Sequence, residues 1–421
     1  MALHSWLARP QRRLGPFGLV VLLVVGALVT PLSLDMYTPA VPHMTEFFGT
    51  SEAMVNLTLV GYFLFFAVGL LIFGPVSDRY GRKPVLVAGI LAYALASAAC
   101  ALSTSIGMLI AMRVLQALGA GAVSAVSTAV VKDAVVPERR EALLSLVQVM
   151  FVVGPVLAPV VGALVLQVAD WRMTFWVLAG IGAVCSALAL LFDETLPADE
   201  RYEGSVTGSL KQLGVVARNK GFSAFLGIVG LYNLPFMAYI AVGSYVYITF
   251  FGLSELEYSL YFAVAALLTV FGPFAWLAAS RFVSARRFTD ILLGVGLASG
   301  LAMLAVGELS PTLFCLTFLA FALAEAAVRP YSTNILLSQQ EGDTGAASSL
   351  INFAHTAIGC VGMLVAVLPW PNFVTGIGII IVASMGVGIL GWIALLRSRV
   401  PLAGIKDDEA GSVGATALDL R

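Results

Sequence analysis

The chain has 421 residues, of which 60% are hydrophobic and only 11% charged, with a mean hydropathy of +0.96. Soluble domains carry roughly 25% charged residues, and so few charges cannot cover a soluble protein of this length, which leaves an integral membrane protein. The net charge is −1 with the bases scattered along the chain, which excludes a basic patch for nucleic acid.

An apolar stretch of about 18 residues or more is a candidate bilayer span. Twelve occur, over residues 15–37, 52–76, 84–103, 107–131, 141–167, 173–192, 222–250, 258–280, 288–306, 311–337, 345–368 and 374–396. Runs such as Val20 to Val29 are apolar on every face, so they predict helices and not the alternating strands of a barrel. The expected fold class is an all-α membrane protein. The first run is too long for the apolar region of a signal peptide and is taken as span 1, retained.

Lys and Arg set the orientation. With the N-terminus inside, the inner segments hold Arg9, Arg12 and Arg13; Arg79, Arg82 and Lys83; Lys132, Arg139 and Arg140; Arg201, Lys211, Arg218 and Lys220; Arg281, Arg286 and Arg287; and Arg397, Arg399, Lys406 and Arg421. The outer loops hold only Arg172. Both termini are therefore expected in the cytoplasm. The connection around Glu341 and Asp343 is the one inner loop without a base.

In chain order, the first polar residue of interest is Asp35, near the outer end of span 1. A carboxylate at membrane depth is expensive and is read as functional, here as a site that holds and releases a proton. Between spans 2 and 3 stands Gly74-Pro75-Val76-Ser77-Asp78-Arg79-Tyr80-Gly81-Arg82-Lys83-Pro84. Asp78 and Arg82 are four apart and can pair on one helical face, while Gly74 and Gly81 allow close backbone approach and a sharp turn. Gly74, Asp78, Arg79, Gly81, Arg82 and Lys83 are read together as a cytoplasmic gate. Arg113 is the only base inside span 4, so it must face the interior and find partners, with Asp35 and Gln116 the candidates. Span 5 carries Gly154, Pro155, Pro159 and Gly162, small and kinking residues that bring helices close.

Residues 193–221 form the longest polar segment and separate six spans from six. The expected division is an N-terminal half 1–192, a cytoplasmic linker 193–221, a C-terminal half 222–399 and a tail 400–421 expected to be disordered. The halves echo weakly: the connection after span 8 keeps Arg281, Arg286 and Arg287 but has no acid matching Asp78. Six plus six with a degraded echo fits a duplicated transporter with its substrate site between the halves.

In the second half, Glu325 and Arg329 lie four apart in span 10, in the favourable order for a helical pair. They are read either as a structural tie or, through Glu325, as a second proton site. His355 stands beside Asn352 in span 11 and is expected to be satisfied by a neighbour. Tyr37, Tyr62, Phe63, Tyr232, Asn233, Phe236 and Tyr239 are the aromatic and polar residues that would line a pocket for lipophilic or cationic ligands. Cys100, Cys185, Cys315 and Cys360 all fall inside apolar runs without metal spacing, so no metal site is expected and they are read as buried thiols. No Gly-x-x-x-x-Gly-Lys-Ser/Thr string occurs. No cofactor and no enzymatic nucleophile–base set is expected.

Five segments carry a resemblance: Pro31 to Pro39 with Val41-Pro42, the string Gly74 to Pro84, Arg113 to Gly121, Gly154 to Gly162, and Trp171-Arg172, with Ala238 to Ala241 in the second half. In these the chain resembles the major facilitator superfamily and, within it, the Bcr/CflA-type drug:proton antiporters. The resemblance implies twelve helices in two six-helix halves, a monomer in the cytoplasmic membrane, and export of small lipophilic or cationic drugs in exchange for protons. A proton-coupled permease for one metabolite is the alternative. It also implies that Arg113 couples protons, that the span 5 pattern belongs to antiporters, and that Asp78 meets the N-terminal end of span 11 near Asp343. Some members carry a second acid two turns before Asp35, where this chain has Ala27.

Overall fold

The computed structural model describes residues 6–202, 204, 206–339 and 344–405. Among these, twelve helices are long and apolar enough to cross a bilayer: Gly15–Phe48, Glu52–Tyr80, Arg82–Ala101, Ile106–Ala134, Pro137–Leu166, Trp171–Leu191, Lys220–Phe250, Glu255–Ala279, Ala285–Leu309, Pro311–Ser338, Gly345–Ala366 and Phe373–Arg397. They are spans 1 to 12 below. The described residues form no sheet; one isolated antiparallel bridge joins Leu7 and Val135.

Span 1 runs further than the sequence suggests. Its first helix ends at Asp35, a 3₁₀ turn covers Thr38–Ala40, and a short helix Val41–Phe48 closes at Gly49, whose φ is 57°. Pro39 and Pro42 sit in the first turns of these pieces, where a missing N–H costs nothing, so they redirect the chain without ending it. In the same way span 5 starts at Pro137.

A lipid-embedded helix must satisfy its first N–H groups locally, because no water is at hand. All six even-numbered spans do this with a short polar side chain. Ser51, Ser105, Asp170, Ser310 and Asn372 each accept a main-chain N–H. At span 8, Ser254 Oγ accepts from Glu257 N–H while Glu257 Oε2 accepts from Ser254 N–H, a reciprocal capping box. Span 3 has Gly81 at its N-cap, which has no side chain to offer.

Contacts group the chain into two compact units. The first is Met1–Ser209 with Tyr247–Ala266, and the second is Leu210–Val246 with Leu267–Arg421. Within the first unit, span 1 packs on span 5, span 2 on span 4, and span 3 on spans 4 and 6. Within the second, span 7 packs on span 11, span 8 on span 10, and span 9 on spans 10 and 12. Each pairing in one unit has its counterpart six spans later in the other, so the weak sequence echo corresponds to a shared packing order.

The segment read as a linker has its own structure, with a 3₁₀ turn Ala198–Glu200 and a helix Val206–Ala217. Residues 400–405 also pack on the second unit: Leu402 and Ile405 are buried, and Gln339 pairs with the main chain of Ala403 in both directions. Residues 406–421 of the expected tail, and Glu341 and Asp343, lie outside the described residues. The four cysteines are buried and unbridged.

Candidate functional site

In the first unit the loop string forms a turn clamped from several sides. Span 2 ends at Tyr80, Gly81 takes φ 100°, and span 3 begins at Arg82. Arg82 Nη1 donates to Asp78 Oδ1 at 2.5 Å and to Ser77 Oγ at 2.7 Å, and Nε donates to Asp133 Oδ2 at 2.8 Å. The expected Asp78–Arg82 pair is therefore present. It is asymmetric, since the arginine side chain is 7% exposed and the aspartate 48%. Lys83 Nζ reaches the carbonyl of Leu190 at 3.1 Å, and the Arg79 guanidinium lies 5.5 Å from its neighbour Tyr80's ring. Gly74 departs from expectation. It lies inside the span 2 helix, a Cβ there would meet nothing within 4 Å, and it makes neither a turn nor a close approach.

Two members of this cluster are absent from the sequence reading. Asp133, at the end of span 4, is the second acceptor for Arg82. Glu194, just after span 6, supplies the cap that Gly81 cannot: its Oε1 accepts from Arg82 N–H at 2.9 Å and its Oε2 from Lys83 N–H at 3.1 Å. A carboxylate on the first N–H groups of a helix is favoured by their partial positive charge. The fit needs glycine at 81, because a Cβ there would lie 2.5 Å from Glu194 Oε2. No local spacing announces either residue, since Glu194 is 112 positions from Arg82. The N-terminal arm closes the same end. Gln11 pairs with the main chain of Asp193 in both directions, Arg12 N–H donates to Asp193 Oδ2 at 2.6 Å, and Arg9 Nη2 contacts Glu200 Oε2 at 2.7 Å. The Glu200 hydrogen bond raises the Arg9 pKa above its ordinary value. Glu194→Ala strips acceptors from the start of span 3, and losing a helix cap costs about 1–2 kcal/mol. The expected result is a lower melting temperature in detergent, with Glu194→Gln between the alanine variant and wild type.

The second cluster surrounds Arg113, which is fully buried. Nη1 donates to the carbonyl of Ser33 at 2.9 Å and to Gln116 Oε1 at 2.7 Å, and Nε reaches the carbonyl of Thr58 at 3.4 Å. Its guanidinium carbon lies 4.5, 4.2 and 5.8 Å from the rings of Tyr37, Tyr62 and Phe175. Cations are attracted to ring faces, more so when desolvated. Tyr37 and Tyr62, expected as pocket residues, are thus walls of an arginine box. Gln116 in turn donates to Ser97 Oγ, and Ser33 Oγ pairs with Tyr93 OH. Nη2 and Tyr62 OH are buried without a partner. Of the two expected partners, Gln116 is in place. Asp35 is buried at 5% exposure but forms no ion pair with Arg113 among the described residues. Phe63 is buried close by in sequence on span 2.

Span 5 lies hard against span 1 at its two glycines. A Cβ on Gly154 would meet Pro31 at 2.4 Å, and one on Gly162 would meet the carbonyl oxygen of Met36 at 1.8 Å. Pro155 and Pro159 lie between them inside the helix, and the carbonyl of Pro159 accepts Ser259 Oγ at 2.9 Å. Tyr258 OH donates to Thr38 Oγ1 at 3.3 Å, and Thr38 Oγ1 donates to the carbonyl of Asp35 at 2.8 Å. The start of span 8 thereby belongs to the surroundings of Asp35. At the same end, Arg172 is held between the rings of Phe47 and Trp171, 4.5 Å from each.

In the second unit, Glu325 and Arg329 form the expected pair, Nε to Oε1 at 2.6 Å. Arg329 Nη2 also donates to Asn233 Oδ1 at 2.8 Å, and Asn233 Nδ2 donates to the carbonyl of His355. Spans 7, 10 and 11 are thus joined through one guanidinium. The expectation of a satisfied His355 does not hold, since its Nε2 is buried without a partner. The remaining pocket candidates form an aromatic stack: Tyr232 on Phe321 at 5.9 Å, Phe236 on Phe318 at 6.3 Å, and Tyr239 on Phe318 at 3.7 Å.

Residues 23–363 match the family described as Major Facilitator Superfamily. The chain is 30% identical over 393 residues to a Bacillus subtilis (strain 168) protein named "Uncharacterized MFS-type transporter YdgK", covering 91% of this chain and 96% of that one. It is 27% identical to the "Multidrug resistance protein MdtL" of Citrobacter koseri, over 85% of this chain and 91% of the relative. The crystal structure of a peptide transporter in complex with sulfate superposes with a TM-score of 0.71 at 16% identity, over 94% of this chain and 96% of that one. Twelve spans, a packing order repeated six spans later and a family match across most of the chain agree: it belongs to the Major Facilitator Superfamily.

Proposed function

We propose that the chain exports small amphipathic drugs across the cytoplasmic membrane in exchange for protons, as a monomer with both termini in the cytoplasm. The carrying observation is Arg113, a charge held fully buried by carbonyls, one amide and three rings. Burying an ion is costly, and a fold that needed only a helix tie would use a neutral group. Asp35, on the span that supplies Ser33 and Tyr37 to this box, is the proton site. Arg113 senses its charge through span 1, and Glu325 is a second protonatable group in the other unit. Asp78 with Arg82 forms the cytoplasmic latch. The name of the Citrobacter koseri relative supports multidrug substrates. The aromatic stack of Tyr232, Phe236 and Tyr239 suits lipophilic ligands.

The test is a susceptibility panel in a pump-deficient bacterial host. Wild type is expected to confer resistance to several unrelated lipophilic compounds, and Asp35→Asn, expressed at the same level, to fall to the empty-vector level. Full resistance from Asp35→Asn would remove Asp35 from the mechanism. Protection against none of the compounds by wild type would favour a permease for one metabolite.

A further inference from the structure

Arg329 is the exposed member of the ion pair in span 10. It lies well inside span 10, nine residues before the helix ends at Ser338, yet its side chain is 47% exposed while Glu325 is only 7% exposed. An arginine facing lipid would reach toward the nearer helix end to find water. Arg329 does the reverse. Its Nε is drawn to Glu325, one turn back toward the middle of the helix, and its Nη2 to Asn233 on span 7. Two of the three guanidinium nitrogens are therefore fixed, and the exposed remainder is presented at membrane depth, where an ionic group is tolerated only along a water-accessible path. The pair is also polarised, with its negative end buried and its positive end open. Next to it, Asn233 donates to the carbonyl of His355, whose Nε2 is buried with no partner.

We propose that Arg329, positioned by Glu325 and Asn233, is a binding site for the carboxylate or an equivalent anionic oxygen group of an amphipathic ligand. Glu325 and Asn233 hold the planar guanidinium in one orientation, so little side-chain entropy is lost when a ligand oxygen meets its open edge. Phe236, half-buried on the same helix as Asn233, takes the apolar body, backed by the buried rings of Tyr232 and Tyr239. This deepens the export reading by adding acidic and zwitterionic amphiphiles to its substrates. It rests on that reading only in calling the ligand a substrate.

The experiment is equilibrium binding to the full-length protein in nanodiscs without a proton gradient, using dansylglycine and its uncharged amide as probes. A charge-assisted hydrogen bond predicts that wild type binds the acid about tenfold or more tighter than the amide. Arg329→Gln is expected to erase that preference by lowering the affinity for the acid far more than that for the amide. Glu325→Gln keeps a side-chain oxygen that can accept from Arg329 Nε and so keep it oriented, while the competing negative charge is gone, so the preference for the acid is expected to widen. Equal binding of acid and amide by wild type, no binding of the acid, or a folded Arg329→Gln protein that keeps the preference would each overturn the proposal. If Arg329→Gln does not fold, Glu325→Gln decides, and an unchanged or narrowed preference overturns it. Since no transport is read, loss of drug resistance in cells alongside a retained acid preference would count against export alone.

Discussion

Arg113→Met is expected to abolish proton-coupled transport, by about a hundredfold or more, while leaving the folded protein as stable as wild type or more so. The two outcomes separate because a buried charge works against folding. Among the described residues Arg113 has no carboxylate in an ion pair with it, and three acceptors and three ring faces offset its desolvation. A methionine of similar length fills the box without that cost, and the carbonyls of Ser33 and Thr58 lie within helices. Gln116 loses a donor, as does the carbonyl of Ser33 in the last turn of its helix. Proton uptake into proteoliposomes and a thermal melt in detergent measure the two arms. Arg113→Lys keeps the charge but cannot span the same acceptors, so it is expected to lose most transport and some stability. A methionine variant that melts far lower would show that Arg113 is a structural tie.

Gly162→Ala is expected to cost about 3 kcal/mol or more, beyond the usual range for one added methyl group in a packed interior. The reason is the atom it meets. The methyl would lie 1.8 Å from the carbonyl oxygen of Met36, part of the backbone itself, and no rotamer change can relieve that. Either span 5 withdraws from span 1 or the helix end beside Asp35 shifts, so transport is expected to fall with stability. The second unit repeats the arrangement, a Cβ on Gly362 meeting the carbonyl oxygen of Leu234 at 1.9 Å, and Gly362→Ala should behave alike. Gly74→Ala is the control. With nothing within 4 Å and a helical setting, it is expected to be neutral or slightly stabilising, by up to about 1 kcal/mol. Melting curves and fluorescence-detected chromatography of the three variants check the ranking.

The spans were legible because hydropathy is a local property that survives any tertiary arrangement. The Asp78–Arg82 and Glu325–Arg329 pairs were legible for a similar reason, since a four-residue spacing is fixed by the helix. Gly162 was readable as a small residue in a packing pattern, though not its partner, because the register of one helix on another is set by every contact along it. That Tyr37 and Tyr62 face Arg113 was not legible: an aromatic residue on an inner face looks the same in sequence whether it meets a ligand or an arginine from another helix. Asp133 and Glu194 were missed altogether. Each lies in a polar junction where an acid is unremarkable, and its meaning depends on an amide or guanidinium far away in the chain. One clue was available for Glu194, since a helix that follows a glycine turn with no Ser, Thr, Asp or Asn before it needs an acceptor from elsewhere.

That borrowed acceptor also bears on the order in which the protein is made. A chain threaded into the membrane from its N-terminus completes the turn at Gly81 long before Glu194 has been synthesised. During that interval the first amides of span 3 stand open, and the arm from Trp6 to Arg13 is held only where it pairs with Ala134 to Val136. The arrival of residues 193–202 supplies Asp193 to the arm, Glu194 to the turn, Tyr202 N–H to the carbonyl of Asp78 and Glu200 to Arg9. Four loose ends are tied by ten consecutive residues directly behind the sixth span. The ends of spans 1, 2, 3 and 6 are thereby fastened together before span 7 is synthesised, so a fault at Glu194 would first appear as poor yield of newly inserted protein, ahead of any defect in what that protein carries.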